Sequence, residues 1–349
     1  MEMPEATETG WKGRIILKVT ISEIAAAADT SISTVSRVLT GSAHVDDETR
    51  RRVEAAVQAS GYKYKPSKKH KKQTGGSVML VCGDLSSHVY TSYIRGISSV
   101  LEPAGFSVFT VDTGYDSAKE ENYVSYAVEE NFIGVIMLSA IGTERLVSLT
   151  ETVRLPILFV NRYLRAVDTD IVCSDNYRGG YIATKYLIDK GHTHIAHLAG
   201  PQNSTSCSDR MHGYQDCMRD NDLPVEEGFL CFGDLQADSG RDFARKLAAE
   251  NPGITAVYSA NDVMAAAMVN TLLEMGKNVP ADLSVICSDN APENSNSRVR
   301  LTSVGYDDFR IGEAAGRLLL ERLSNPASPR KKVVYCPILT EADSVAEAK

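Results

Sequence analysis

The apolar positions between Val19 and Leu39, in VTISEIAAAADTSISTVSRVL, fall into two short helical stripes separated by a polar break. Ile24, Ala25 and Ala28 share one face of the first segment. Val35, Val38 and Leu39, at i, i+3 and i+4, share one face of the second. Ser22 or Thr20 can cap a first helix running through Ala28, and Ser31 can cap a second through Leu39. Asp29 stands in the turn between them, where an Asp tolerates left-handed backbone. A third helix is expected after Asp46, in VDDETRRRVEAAVQASGY, with acids in its first turn and Gly61 as its stop.

From Ser77 the pattern changes. The apolar runs SVMLVCG, FSVFTV, IGVIML, LPILFV, HIAHLAG, ITAVYSA and LSVICS alternate with amphipathic stretches of helical period. Such alternation predicts parallel sheets with crossover helices, and about 270 residues call for two sheets rather than one. Between the two regions lies YKPSKKHKKQTGG, opened by Pro66 and closed by glycines, which reads as a basic linker over 66–76. Residues 1–18, with the only tryptophan, Trp11, read as a flexible leader, leaving 19–65 as a helical headpiece and 77–349 as the body.

Composition sharpens this division. The chain has 349 residues, 43% hydrophobic and 23% charged, with a formal net charge of -8. Residues 1–75 carry 13 Lys and Arg against 9 Asp and Glu, a net of +4; the remainder carries 24 against 36, a net of -12. A basic head on an acidic body suits a nucleic-acid reader joined to a sensing domain. No stretch approaches the apolar length of a membrane span, and MEMPEATETGWKGR lacks the apolar core of a signal peptide. The seven cysteines form no C-x-x-C pair, so free thiols in the cytoplasm are expected.

Ser33 and Arg37 are four apart and share the face opposite the apolar stripe of the second helix. Two short helices, a tight turn and small outward polar groups suit a helix-turn-helix that enters the major groove. Arg37 could then reach a guanine edge with two hydrogen bonds. A three-helix protein-binding module with a solvated polar face is the alternative.

VTISEIAAAADTSISTVSRVLTGSAHVDDETRRRVEAAVQASGY resembles the headpiece of the lac-repressor (LacI/GalR) family of bacterial transcription regulators. The likeness continues through DLSSHVYTSYIRGI, VNR, SDN, GHTHIAHLAG, DRMHGY, SANDVMAAA, VPADLSVICSDN and LTSV, from Val19 to Leu339. The resemblance implies an all-α helix-turn-helix headpiece on a two-lobed, periplasmic-binding-protein-like α/β effector domain. Its N-lobe would span about 77–173 plus 304–335, its C-lobe about 174–303 plus 336–349. It further implies that Ile32 and Ser33 read bases, that Arg37 contacts a base, and that Thr20, Ser31, Thr34, Ser36 and His44 approach phosphates. Ile32, being apolar, would meet a thymine methyl, unless it merely packs inward.

The linker departs from that pattern. Where the family has a leucine that wedges into the minor groove, this chain has Gln73, which cannot offset unstacking the duplex. Lys68, Lys69, Lys71 and Lys72 would instead draw phosphates, each steepening the salt dependence by about 0.9 log units per log of salt. Weaker operator bending, or a basic tether that only raises local concentration, are both open.

In the body, polar groups follow the expected strand ends, where ligands of layered α/β folds bind. Asn161 and Arg162 follow LPILFV, Asn261 and Asp262 follow ITAVYSA, Asp289 and Asn290 follow LSVIC, and Arg210 lies near the start of an expected helix. The resemblance adds Tyr90 as an aromatic wall and Leu235 where many relatives stack an aromatic ring. A sugar or sugar derivative follows from the family, with dimerisation on near-palindromic double-stranded operator DNA. His192, His194 and His197 do not converge as metal ligands on a strand, so no metal or cofactor is expected. No G-x-S-x-G, P-loop or H-E-x-x-H occurs, which argues against an enzyme. A solute-binding protein of transport and control by a protein co-effector are the remaining rivals.

Overall fold

The computed structural model describes residues 20–40, 45–60, 62, 75–250, 253–289 and 297–349. The chain divides into two compact units, Met1–Lys72 and Gln73–Lys349. His44, Lys68, Lys69, Lys71, Lys72, Gln73 and Asn290 lie outside the described residues.

The first unit contains α1 (Ile21–Ala27), α2 (Ile32–Thr40) and α3 (Asp47–Ser60). Thr20 rather than Ser22 caps α1, and it does so reciprocally. Its hydroxyl accepts from the Glu23 amide at 3.3 Å while the Glu23 carboxylate accepts from the Thr20 amide at 2.7 Å. This capping box satisfies two amides that a helix start leaves open. Asp29 takes a left-handed φ of 48° in the turn, and Ser31 Oγ accepts from the Thr34 amide at 3.1 Å to start α2. Asp46 does the same for α3 through Thr49. Ile24, Ala25, Ala28, Val35 and Val53 close a small core, with Val38 and Leu39 packed against it. Each large member contributes roughly 1.5–3 kcal/mol by burial.

The second unit holds two six-stranded sheets. The first uses β1 (Ser77–Cys82), β2 (Ser107–Asp112), β3 (Gly134–Met137), β4 (Ile157–Val160), β5 (Asp170–Ser174) and β11 (Lys332–Tyr335), in the order β11-β5-β4-β3-β1-β2. The second uses β6 (Ile195–Ala199), β7 (Leu230–Phe232), β8 (Ala256–Ser259), β9 (Ser284–Ser288), β10 (Thr302–Gly305) and β12 (Ile338–Thr340), in the order β12-β10-β9-β8-β6-β7. Every pairing is parallel except β10 with β12. The helices are α4 (His88–Leu101), α5 (Ser117–Glu129), α6 (Glu144–Thr152), α7 (Asn176–Asp189), α8 (Thr205–Asp220), α9 (Ala237–Glu250), α10 (Asp262–Glu274) and α11 (Asp308–Ser324).

The chain passes between the sheets three times: after β5, after β10 and between β11 and β12. Sequence periodicity finds β1, β2, β3, β4, β6, β8 and β9, but not β5, β7, β10, β11 or β12. The missed strands β7 and β12 have only three residues, and β11 is an edge strand of alternating exposure. Core strands buried along their length leave a continuous apolar run, whereas short edge strands do not.

One close approach matters for the site. A Cβ on Gly180 of α7 would stand 2.1 Å from the carbonyl oxygen of Arg210 on α8. Only glycine lets the two helices meet there, and the contact fixes where Arg210 leaves its helix. Elsewhere, the foot of the first sheet is held by Arg322, whose Nε and Nη2 donate to Asp170 at 2.7 and 3.0 Å in a buried pair.

Candidate functional site

The outward face of α2 carries Ile32, which is 51% exposed, together with exposed Ser31, Ser33 and Arg37. The inward alternative for Ile32 is therefore not what the fold adopts. Thr34 and Ser36 are half-buried on its flank. The hydroxyl of Ser31 lies 2.7 Å from that of Ser33 and 2.8 Å from that of Thr34, so three small polar groups form one local network at the helix start. Thr20 is exposed but already engaged in its capping box. Such a face, apolar at one position and otherwise small and polar around one arginine, has the shape of a major-groove reader.

In the second unit a cavity of about 540 Å³ opens at the carboxyl ends of both sheets. Tyr90, Asn161, Arg162, Arg210, Leu235, Asn261 and Asp289 all line it. Three of them, Asn161, Leu235 and Asp289, have left-handed φ values of 62°, 71° and 70°. Non-glycine residues hold such a backbone only where their surroundings impose it, and such strain gathers at binding sites.

Arg210 organises the C-lobe wall. Its Nε donates to Asn176 Oδ1 at 2.9 Å, its Nη1 to the Ala260 carbonyl at 2.5 Å and its Nη2 to Asp289 Oδ1 at 2.7 Å. Asn176, the first residue of α7, in turn donates to Asn161 Oδ1 at 3.1 Å. A polar chain thus runs from the end of β4 to the end of β9. Asn261 caps α10 by accepting from the Met264 amide at 3.0 Å, and its Nδ2 donates to the Leu235 carbonyl at 2.9 Å. That bond holds the strained backbone at Leu235.

Charge is unevenly compensated here. Burial is the largest single influence on the Arg210 cation and works against it, but Asp289 together with Tyr258 and Cys207 outweighs it and raises the pKa. Burial and the charge of Asp289 push Asp262 up to about 7. The same two causes hold Asp308 well above the carboxylate range. Arg162, 5% exposed, lies with its guanidinium 5.0 Å from the ring centroid of Tyr115.

Asn176, Tyr115 and Asp308 were not among the sequence candidates. The block SDN contains Asn176, so that residue stood within a recognised stretch. Tyr115 follows β2 with no signal of its own.

The histidines do not form a site. His192 is buried, 2.9 Å from Thr255 Oγ1 and 3.0 Å from Ser284 Oγ, while His197 stacks on Tyr258 at 4.5 Å inside the core. His194 precedes β6 and is exposed. Among the described residues no group of His, Cys, Asp or Glu could hold a metal ion, and no helix is long and apolar enough to cross a membrane.

Comparison with known proteins agrees with this geometry. Residues 20–65 match the model of bacterial regulatory proteins of the lacI family, and residues 184–345 match the periplasmic binding protein-like domain. The chain is 29% identical over 336 residues to the HTH-type transcriptional regulator DegA of Bacillus subtilis (strain 168), covering 95% of this chain and 99% of DegA. It is 28% identical to the HTH-type transcriptional repressor PurR of Aliivibrio fischeri, covering 94% and 98%. A transcriptional regulator CelR–cellobiose complex superposes with a TM-score of 0.72 at 26% identity, over 93% of this chain and 99% of that one. The lac repressor dimer bound to operator and the anti-inducer ONPF shares the fold with a TM-score of 0.70 at 24% identity, over 94% and 99%. Members of this family are not enzymes. The chain belongs to the LacI family: it is a DNA-binding transcriptional regulator with a periplasmic-binding-protein-like effector domain.

Proposed function

We propose that the protein is a homodimeric repressor of near-palindromic operators whose grip on DNA is set by a sugar or sugar derivative bound between the two lobes. Ser33 and Arg37 read bases in the major groove, Ile32 meets a thymine methyl, and Thr20, Ser31, Thr34 and Ser36 hold or approach phosphates.

The observation that carries the effector reading is the chain Asn161–Asn176–Arg210–Asp289, which joins the strand ends of both lobes at one cavity. A hydroxylated ligand offering donors and acceptors to that chain favours one opening of the cleft over another. A differential of about 1–3 kcal/mol between the two states suffices for 5- to 150-fold control of operator affinity. The operator-bound lac repressor and the cellobiose complex of CelR support this reading as relatives of the same fold.

Fluorescence anisotropy with the sequence upstream of the protein's own gene tests it. The dimer should hold this duplex more tightly than a scrambled one, and a compound that binds the cleft should change the ratio. Equal affinity for both duplexes, with and without candidate sugars, sinks the proposal.

A further inference from the structure

The two cleft arginines are in different electrostatic states. Arg210 has an acceptor on each of its three guanidinium nitrogens. Arg162 is equally buried, yet among the described residues nothing accepts a hydrogen bond from its guanidinium and no carboxylate pairs with it. The face of the Tyr115 ring lies against it, and Tyr90, Cys207 and Glu120 favour its charge from further off. Glu120 feels the charge from a distance, but its own oxygens are taken by Ser139 Oγ at 2.8 Å and the Ile141 amide at 2.9 Å. A guanidinium has five N–H donors, and those of Arg162 are not sealed in the core but face the cavity, open to an acceptor. Arg162 lines the cavity, so a ligand can reach it.

Further features of the same wall point to negative charge. α4, on the same lobe as Arg162, begins at the cavity and presents the positive end of its dipole there. Ser204 and Asn261 cap α8 and α10, but Ser87, at the start of α4, makes no capping bond. The first-turn amides of α4 therefore lack a side-chain acceptor. Across the cavity the C-lobe offers the opposite chemistry. Asn261, Asp262 and Asp289 present oxygens that accept from hydroxyl groups. Arg241, also on the cavity, is already paired with Asp238 at 3.0 and 2.6 Å. Of the three cavity arginines, Arg162 alone has no described carboxylate within ion-pair distance.

We infer that the effector is a hydroxylated monocarboxylate of the sugar-acid class, its carboxylate held by Arg162 at the start of α4 and its hydroxyls by Asn261, Asp262 and Asp289. The inference rests on the effector reading above and narrows it. A phosphate dianion fits less well, because a second unpaired cation is not there to balance it.

The test is calorimetric titration and thermal shift of the full chain with D-glucuronate, D-galacturonate and D-gluconate, against D-glucose, D-galactose and D-glucose 6-phosphate. At least one acid should bind, and more tightly than its neutral isostere. Arg162→Gln should weaken it by about 30-fold or more, the loss expected for one partner of a buried charge pair, and Arg162→Lys by less. Equal binding of acids and neutral sugars, tighter binding of the phosphate, or no binding by any acid overturns the inference. A neutral sugar that binds and shifts operator affinity does so while leaving the effector reading intact. Loss of discrimination between cognate and scrambled duplex is instead the failure of the regulatory reading.

Discussion

Arg210 and Asp289 meet at 2.7 Å with side chains only 10% and 17% exposed, tying the second turn of α8 to the strained residue that follows β9. Removing the cation leaves Asp289 beside Asp262 with nothing to offset their repulsion. Arg210→Ala should therefore cost about 3–5 kcal/mol in urea unfolding, as for a broken buried pair. Arg210→Ala with Asp289→Asn should recover part of that loss, because the stranded charge goes with its partner. A double variant no more stable than Arg210→Ala would show that the pair does not act as a unit.

Gly180 tests whether helix spacing positions the site. A methyl there meets the Arg210 carbonyl at 2.1 Å, so α8 must move away from α7. Gly180→Ala should destabilise by about 1–3 kcal/mol through overpacking and also blunt the response of operator affinity to effector. Full effector response in a folded Gly180→Ala protein would dissociate the two.

Asp262 should give the stability curve a recognisable slope. Its ordinary value is 3.8 and the fold raises it to about 7, through burial first and the Asp289 charge second. Between those values the native state holds the proton more firmly than the unfolded chain, so the contribution of Asp262 to stability declines as pH climbs through this window. His197, which burial lowers from 6.5 to about 4, works in the opposite direction between those values, across most of the same window. The two are separated by a difference measurement. The stability of Asp262→Asn relative to wild type should grow from pH 4 to pH 7, to a few kcal/mol at most, and then level off. A gap that is flat with pH contradicts the shift.

On DNA, Arg37→Ala should lower affinity for the cognate operator by about 1–3 kcal/mol and relax sequence preference at one base pair, measured by anisotropy against a set of single-position variants. Thr34→Val should instead weaken all duplexes alike, because a phosphate contact carries no base information. If both variants lose affinity uniformly, Arg37 is a backbone contact and not a reader.

The parts of this molecule legible in its sequence are those whose environment repeats along the chain. α2 shows its inward stripe and outward polar face within nine residues, β3 and β4 are fully buried apolar runs, and β1 is one after its first residue, Ser77. Polar residues directly after strands, such as Asn161, Asn261 and Asp289, stand out because the apolar run stops there. Arg210 is different: it lies inside a helix, where its place near the expected helix start was the only sign of it in the residues themselves, and the family resemblance added the rest. Asn176 was missed because its importance comes from partners 15 and 34 residues away, Asn161 and Arg210. Tyr115 and Asp308 likewise acquire meaning only when separate strands and helices converge. β12 could not be found at all from three residues whose one partner strand is β10.

The three passages of the chain between the sheets carry a consequence for biosynthesis. The first sheet waits for β11 and the second for β12, both of which follow every other strand in the chain. The three-helix core, by contrast, closes using residues from Ile24 to Val53. On the ribosome the reading head can therefore mature long before its sensor, and a nascent chain halted ahead of Lys332 carries the former without a finished version of the latter.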